Sequence, residues 1–127
     1  TEAITLASII EKEGLEKNKI AGVFINRLRI GMKLQSDPTV IYALGKDFDG
    51  DIKRKDLRID NPYNTYRYKG LPPGPISIVS EESLEAALNP EETDFLYFVS
   101  MKNGFHKFSK NLTEHNEAVL KYQINER

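Results

Sequence analysis

An α+β fold, mostly helical with one small antiparallel hairpin, follows from three observations in this sequence. Apolar residues recur at helical spacing through Leu6, Ile9 and Ile10 and again through Ile20, Val23, Phe24 and Leu28. Phe95 to Met101 alternates and is rich in β-formers; Asn103-Gly104 then leads into Phe105 to Ser109, which predicts a hairpin closed by a type I′ turn. A length of 127 residues allows one core and is too short for two, so residues 1–127 read as one domain.

Taken in order, residues 3–13 read as a helix that Gly14 ends. Residues 18–30 read as a second, with Ile20, Val23, Phe24, Arg27 and Leu28 on one stripe and Gly31 at the stop. Asp37-Pro38 opens a short third helix: Asp37 suits the N-cap, Pro38 the first turn and Gly45 the end. Residues 46–60 are charged and carry Gly50, so they predict a surface excursion. Residues 61–79 hold Asn61-Pro62 and Leu71-Pro72-Pro73-Gly74-Pro75, where prolines remove donors and fix φ, so ordinary helix is excluded. Ser80 caps a helix to about Leu88, closed by Asn89-Pro90. Asn111-Leu112-Thr113-Glu114 is a capping-box pattern for a last helix running through Glu126.

Composition excludes several classes. With 18 Lys+Arg against 19 Asp+Glu the formal net charge is -1, unlike an electrostatic nucleic-acid binder. Apolar residues make up 39% and charged residues 29%, an ordinary soluble balance. There is no cysteine, hence no disulfide or thiolate site. His106 and His115 fit no metal-ligand spacing and read as hairpin and helix-face residues, so neither metal nor cofactor is expected. No glycine pattern fits a phosphate loop, and no Ser-His-Asp arrangement is legible. No apolar run approaches the ~20 residues of a transmembrane span, so no membrane contact is expected from these residues. The chain opens at Thr1 inside a helical pattern and reads as a fragment whose targeting information lies elsewhere.

Glu13 is the most informative residue. On a helix, Leu6, Ile9, Ile10 and Glu13 stand at i, i+3, i+4 and i+7, one stripe that should be apolar. Glu11 projects away from that stripe and reads as solvated. A carboxyl held against apolar surface tends to keep its proton near neutral pH, which is what a general acid needs. The plain alternative is a helix-end glutamate that escapes to solvent past Gly14. Gln35-Ser36-Asp37-Pro38-Thr39 gathers polar groups at a helix start, either for capping or to bind sugar hydroxyls from a cleft. Tyr63-Asn64-Thr65-Tyr66 interleaves aromatic and hydrogen-bonding side chains, fitting either a packed edge or saccharide recognition. The Pro72-Pro73-Gly74-Pro75 loop is either a structural corner or a stiff wall beside a cleft. Lys53-Arg54-Lys55 reads as a solvated turn.

Together, Leu6 to Glu13, Val23-Phe24-Ile25-Asn26-Arg27-Leu28, Leu34 to Val40, Tyr63 to Tyr66 and Gly70 to Ile76 resemble the catalytic domain of the YceG-like (MltG) endolytic murein transglycosylases. The resemblance continues through Leu96-Tyr97-Phe98-Val99, His106-Lys107-Phe108, Asn111-Leu112 and His115-Asn116, and so covers nearly the whole chain. It implies a lysozyme-like catalytic helix ending in Glu, with the second glutamate of Glu-Lys-Glu, Glu13, as the catalytic group. The family often carries Thr or Ser next; here Gly14 stands instead. The implied reaction cuts the β-1,4 bond between N-acetylmuramic acid and N-acetylglucosamine without water, leaving a 1,6-anhydromuramyl end. One carboxyl suffices, because the sugar's own 6-hydroxyl is the nucleophile, whereas a hydrolase must place a second. In this scheme Gln35, Ser36, Asp37, Tyr63, Asn64, Thr65, Tyr66 and Pro73 are the expected substrate-binding set. The rival expectations are a hydrolytic muramidase using Glu13 with Asp37, and a non-catalytic glycan-binding or scaffold module. The resemblance also implies peptidoglycan glycan strands and the cell-wall synthesis machinery as partners. It places the domain at the extracytoplasmic face of the bacterial cytoplasmic membrane, on a longer protein anchored by a single span and carrying a LysM-like domain.

Overall fold

The computed structural model describes residues 2–124. In chain order it has α1 (Glu2–Glu13), α2 (Lys17–Ile30), α3 (Asp37–Leu44), short 3-10 turns at Gly45–Asp47 and Arg54–Arg58, and α4 (Glu81–Leu88). Strands β1 (Tyr97–Ser100) and β2 (His106–Ser109) and helix α5 (Leu112–Val119) follow, with a π-helical turn at Leu120–Ile124. This is the α+β domain with one small hairpin that the sequence predicts.

Helix α1 is central. Thr5 through Ile10 are all buried, so the helix is covered on every side over this stretch, by α2, α3 and α4. Buried Ser8 is satisfied there: its hydroxyl donates to Thr5 O at 2.7 Å and accepts from Ile76 N at 3.0 Å. Its carbonyl accepts from the Ser77 hydroxyl at 3.0 Å, so the proline-rich segment hangs on α1.

Helix α2 buries Ile20, Ala21, Val23 and Phe24 against this core, and Phe24 meets Phe98 edge-on at 5.8 Å. Its other edge is a track for the chain entering β1. Gly22 leaves no room for a side chain against the Glu91 carbonyl. The Asn26 amide donates to Thr93 O (2.8 Å) and Phe95 O (2.9 Å), and Arg27 Nε to Leu96 O (2.7 Å). The hairpin is thereby set against α2.

Several local expectations change. Ser36, not Asp37, occupies the N-cap position of α3, and Asp37 is the first helical residue. Its carboxylate is instead drawn to the Tyr66 hydroxyl, a partner outside the helix. The hairpin turn is not type I′, which requires positive φ at both Asn103 and Gly104. Lys102 (φ 66°) and Gly104 (φ 91°) are the left-handed residues, and Met101 N donates to Phe105 O at 2.9 Å, leaving three residues in the turn. Glu11 keeps solvent contact but is also tied down: its Oε1 accepts from Ser80 N (3.0 Å) and the Ser83 hydroxyl (2.8 Å), so it caps the N-terminus of α4 alongside Ser80. Helix α5 begins with the expected Asn111 cap, whose side chain accepts from Glu114 N at 2.9 Å, but ends as an α-helix at Val119. The end expected at Glu126 lies outside the described residues.

Candidate active site

At its C-terminal end, α1 presents Glu13 to a cleft of about 710 Å³. Elements α2, the 34–37 turn, Tyr66, the hairpin and α5 supply the rest of its walls. The Glu13 side chain keeps a strip open to the cleft and is otherwise surrounded by protein. That burial pushes its carboxyl up to about 7; a hydrogen bond from Ser36 opposes the shift, the Asp37 charge adds to it, and the Arg27 charge opposes it. Ser36 Oγ donates to Oε2 at 2.9 Å. Among the described residues Oε1 has no hydrogen-bond partner, which leaves it to carry the proton into the cleft.

Ser36 is itself fixed by a closed ring of hydroxyls. Its N–H donates to Thr65 Oγ1 at 2.9 Å, and its carbonyl accepts from Thr39 Oγ1 at 2.7 Å. The two threonine hydroxyls are 2.8 Å apart; since the Thr39 proton goes to Ser36, Thr65 is the donor between them. The adjoining Gln35 has left-handed backbone (φ 51°), uncommon for a residue with a side chain, and is held there by a bond from its N–H to Thr65 O at 3.2 Å. The turn puts Gln35 in the cleft wall beside Asp37. The Tyr66 hydroxyl donates to Asp37 Oδ1 at 2.5 Å. Burial first, and that bond second, push the phenol well above its ordinary range, so Tyr66 remains a donor.

Of the expected binding set, then, Gln35, Asp37 and Tyr66 line the cleft with Glu13, and Ser36 reaches it through the Glu13 carboxyl. The others stand behind it. Asn64 is fully buried, its amide donating to Leu57 O (3.0 Å) and Ile59 O (2.9 Å) and its oxygen accepting from Tyr66 N (2.9 Å). Thr65 is equally buried in the hydroxyl ring. Tyr63 packs against Tyr42, ring centroids 4.8 Å apart, with its hydroxyl beside Gly74. Pro73 is exposed and away from the cleft. None of these four is among the residues that line the cleft.

Cleft residues that the sequence did not single out as binding groups include Arg27, Tyr97, His106 and His115. Arg27 is buried; its guanidinium donates to the carbonyls of Leu96 (2.7 Å), Lys33 (3.2 Å) and Leu34 (2.8 Å) and lies 5.1 Å from the Tyr97 ring centre. A charged residue on the apolar stripe of α2 was a visible signal, the same anomaly that marks Glu13 on α1. His106 is tied down by Glu16, whose carboxylate accepts from His106 N at 2.6 Å and lies 3.2 Å from ring Nδ1. Glu16 adopts left-handed backbone (φ 63°) in the turn just past Glu13, so this contact pins the hairpin over the C-terminal end of α1.

A model of the YceG-like family matches residues 1–121. The chain is 54% identical over 122 residues to an endolytic murein transglycosylase of Bacillus subtilis, covering 94% of this chain and 34% of the relative. It is 37% identical over 129 residues to an endolytic murein transglycosylase of Streptococcus pneumoniae, covering 95% of this chain and 23% of that one. The chain thus spans about a third or less of the length of these relatives. A crystal structure of a yceG-like protein from Listeria monocytogenes superposes with a TM-score of 0.83 at 53% identity, over 89% of this chain and 38% of that one.

Proposed function

Because this chain belongs to the YceG-like family, we propose that it carries the catalytic centre of an endolytic murein transglycosylase that cuts peptidoglycan strands between N-acetylmuramic acid and N-acetylglucosamine without water. One observation carries the proposal: the carboxyl of Glu13, pushed up to about 7 by burial and open to the cleft. A group with that pKa is present in both protonation states at neutral pH, so it can give a proton and take one back.

Glu13 donates its proton to the glycosidic oxygen as the bond from the muramyl C1 breaks. The muramyl 6-hydroxyl oxygen then bonds to C1 and passes its proton to the Glu13 carboxylate, which restores the acid. One C–O bond breaks and one forms within the substrate, and no water is consumed. Ser36 steadies the carboxylate between the two steps, and the fixed Arg27 charge favours it. Gln35 and the Tyr66–Asp37 pair orient the saccharide from one wall. The strands and the cell-wall synthesis machinery are the proposed partners, at an extracytoplasmic location. Among the described residues no helix is long and apolar enough to cross a membrane.

A second reading, hydrolysis, draws on Asp37, which lines the same cleft and could act as a second carboxylate. It is the weaker one, because Asp37 is already engaged by the Tyr66 hydroxyl. Mass spectrometry of digested strands decides: the lytic reaction leaves anhydro ends, lighter by one water per cut than the hydrolytic product. Hydrated ends alone would overturn the proposal. Glu13→Gln, run beside wild type, is expected to bind strands and leave them uncut; normal cutting by that variant would remove Glu13 from the mechanism, and a wild type that binds without cutting would make this a scaffold.

A further inference from the structure

The part of the cleft lining that comes from β1 and α5 has no role in the mechanism above, yet it is built from paired layers. Tyr97 and Val99 alternate on β1 and so share one of its faces. Leu112 and His115 stand three apart on α5 and share one of its faces. The two faces meet where the His115 ring stacks on Tyr97, centroids 4.9 Å apart and planes inclined by 24°. All four residues line the cleft. Tyr97 already has its ring against His115 and Arg27, which leaves this wall polar edges with apolar neighbours.

The polar edge can be specified. His115 Nδ1 is sealed from solvent and has no hydrogen-bond partner among the described residues. A buried N–H without an acceptor costs more than a buried lone pair without a donor, so the ring hydrogen sits on Nε2. Burial, then the Arg27 charge, lower the pKa of His115, which keeps the ring neutral and in that single tautomer at neutral pH. With Nδ1 sealed and His115 among the residues lining the cleft, Nε2–H is the donor this ring has left to offer a bound molecule.

We propose that His115, with Val99 and Leu112, forms an acetamido subsite: Nε2–H donates to the carbonyl oxygen of an N-acetyl group on a substrate sugar, and the two aliphatic side chains receive its methyl. A hydroxyl alone would need no apolar neighbours, and an anion would favour a charged donor over a neutral one. An N-acetyl group presents one acceptor and one methyl, which is the pairing this wall complements. The inference rests on the cleft being a glycan site and names which substituent this wall reads.

The test compares intact wild-type protein with His115→Phe on N-acetylated and chemically de-N-acetylated glycan strands. Phenylalanine keeps the stack on Tyr97 and removes both ring nitrogens. On N-acetylated strands KM is expected to rise about five- to tenfold, the worth of one neutral hydrogen bond, with kcat within about twofold. On de-N-acetylated strands the two proteins are expected to have equal KM. The melting temperature is expected to hold or rise, because an unpartnered buried nitrogen is gone. His115→Gln, which offers an amide N–H near the position of Nε2, is expected to recover part of the preference and serves alone if the phenylalanine variant fails to fold. An unchanged KM for the variant, an equal rise on both substrates, or a wild type indifferent to N-acetylation would each overturn the subsite. A wild type that leaves hydrated ends or cuts nothing would instead overturn the proposed function.

Discussion

Glu11 and Glu13 are the same residue type two positions apart on one helix, and their surroundings drive them in opposite directions. Glu11 turns towards α4, where the Ser80 hydroxyl, the Ser80 N–H and the Ser83 hydroxyl, in that order, favour its charged form at the start of a helix, and its carboxyl falls to about 2. Glu13 turns towards the cleft, where burial dominates and one serine donates, and its carboxyl rises to about 7. The number of donors set against the loss of water decides which carboxyl is a structural anion and which a reservoir for a proton. One turn of helix therefore does both tasks: its Glu11 side ties the scaffold together, and its Glu13 side faces the chemistry.

The comparison breaks most visibly in activity. Glu13→Gln is expected to lower strand cleavage by about 10²–10⁴-fold, the usual worth of a general acid–base group. Glu11→Gln is expected to stay within about twofold of wild type in the same assay. Equal losses in both would mean that the two carboxyls are not functionally separate.

Stability should separate them by sign. The folded-state pKa of Glu13 is raised from 4.5 to about 7, so the folded protein holds its proton more tightly than the unfolded chain. Its contribution is full below 4.5 and is lost as pH rises through 7. Glu13→Gln is expected to flatten that decline and to be more stable than wild type above pH 7, by on the order of 3 kcal/mol, at about 1.4 kcal/mol per pKa unit. Denaturant melts across this pH range measure it. A variant that parallels wild type throughout would show that the carboxyl is not held protonated.

The tuning itself can be shifted through Ser36. Its hydrogen bond favours the charged form of Glu13, so Ser36→Ala is expected to move the pKa higher still. In the pH profile of kcat/KM the alkaline limb is expected upward by about 1 unit, the scale of one hydrogen bond to a charged group. A downward shift would contradict the role given to Ser36.

What the sequence shows of this arrangement depends on where each residue's partners lie. Glu13 is legible because helical periodicity alone places it among Leu6, Ile9 and Ile10. Arg27 is legible by the same rule, standing among Val23, Phe24 and Leu28. Glu11 is not: Ser80 and Ser83 are distant in sequence, and only tertiary packing of α4 on α1 brings them together. Asn64 and Thr65 have the chemistry of sugar-binding groups, but the irregular backbone around them needs that chemistry internally. Composition does not reveal which way such side chains face. His115 enters the site only because α5 packs on the hairpin and the hairpin is set against α2, a placement fixed by the Asn26 and Arg27 bonds to the chain leading into β1.

The smallest expected effect lies on the Glu11 side, and it isolates charge from hydrogen bonding. Both bonds to Glu11 fall on one oxygen, Oε1, so the amide oxygen of Glu11→Gln can accept the same two. What the substitution removes is the negative charge at the N-terminus of α4, worth roughly 0.3–1 kcal/mol at that position. Because the folded-state pKa is lowered from 4.5 to about 2, the wild-type contribution is present above 4.5 and disappears as pH falls through 2. The stability lost by Glu11→Gln relative to wild type is therefore expected to be constant from neutral pH down to about 4.5 and to shrink as pH falls towards 2. A loss well above 1 kcal/mol at neutral pH would mean that the amide fails to recover the two bonds, and that donors, more than the helix-end field, set the difference between these two glutamates.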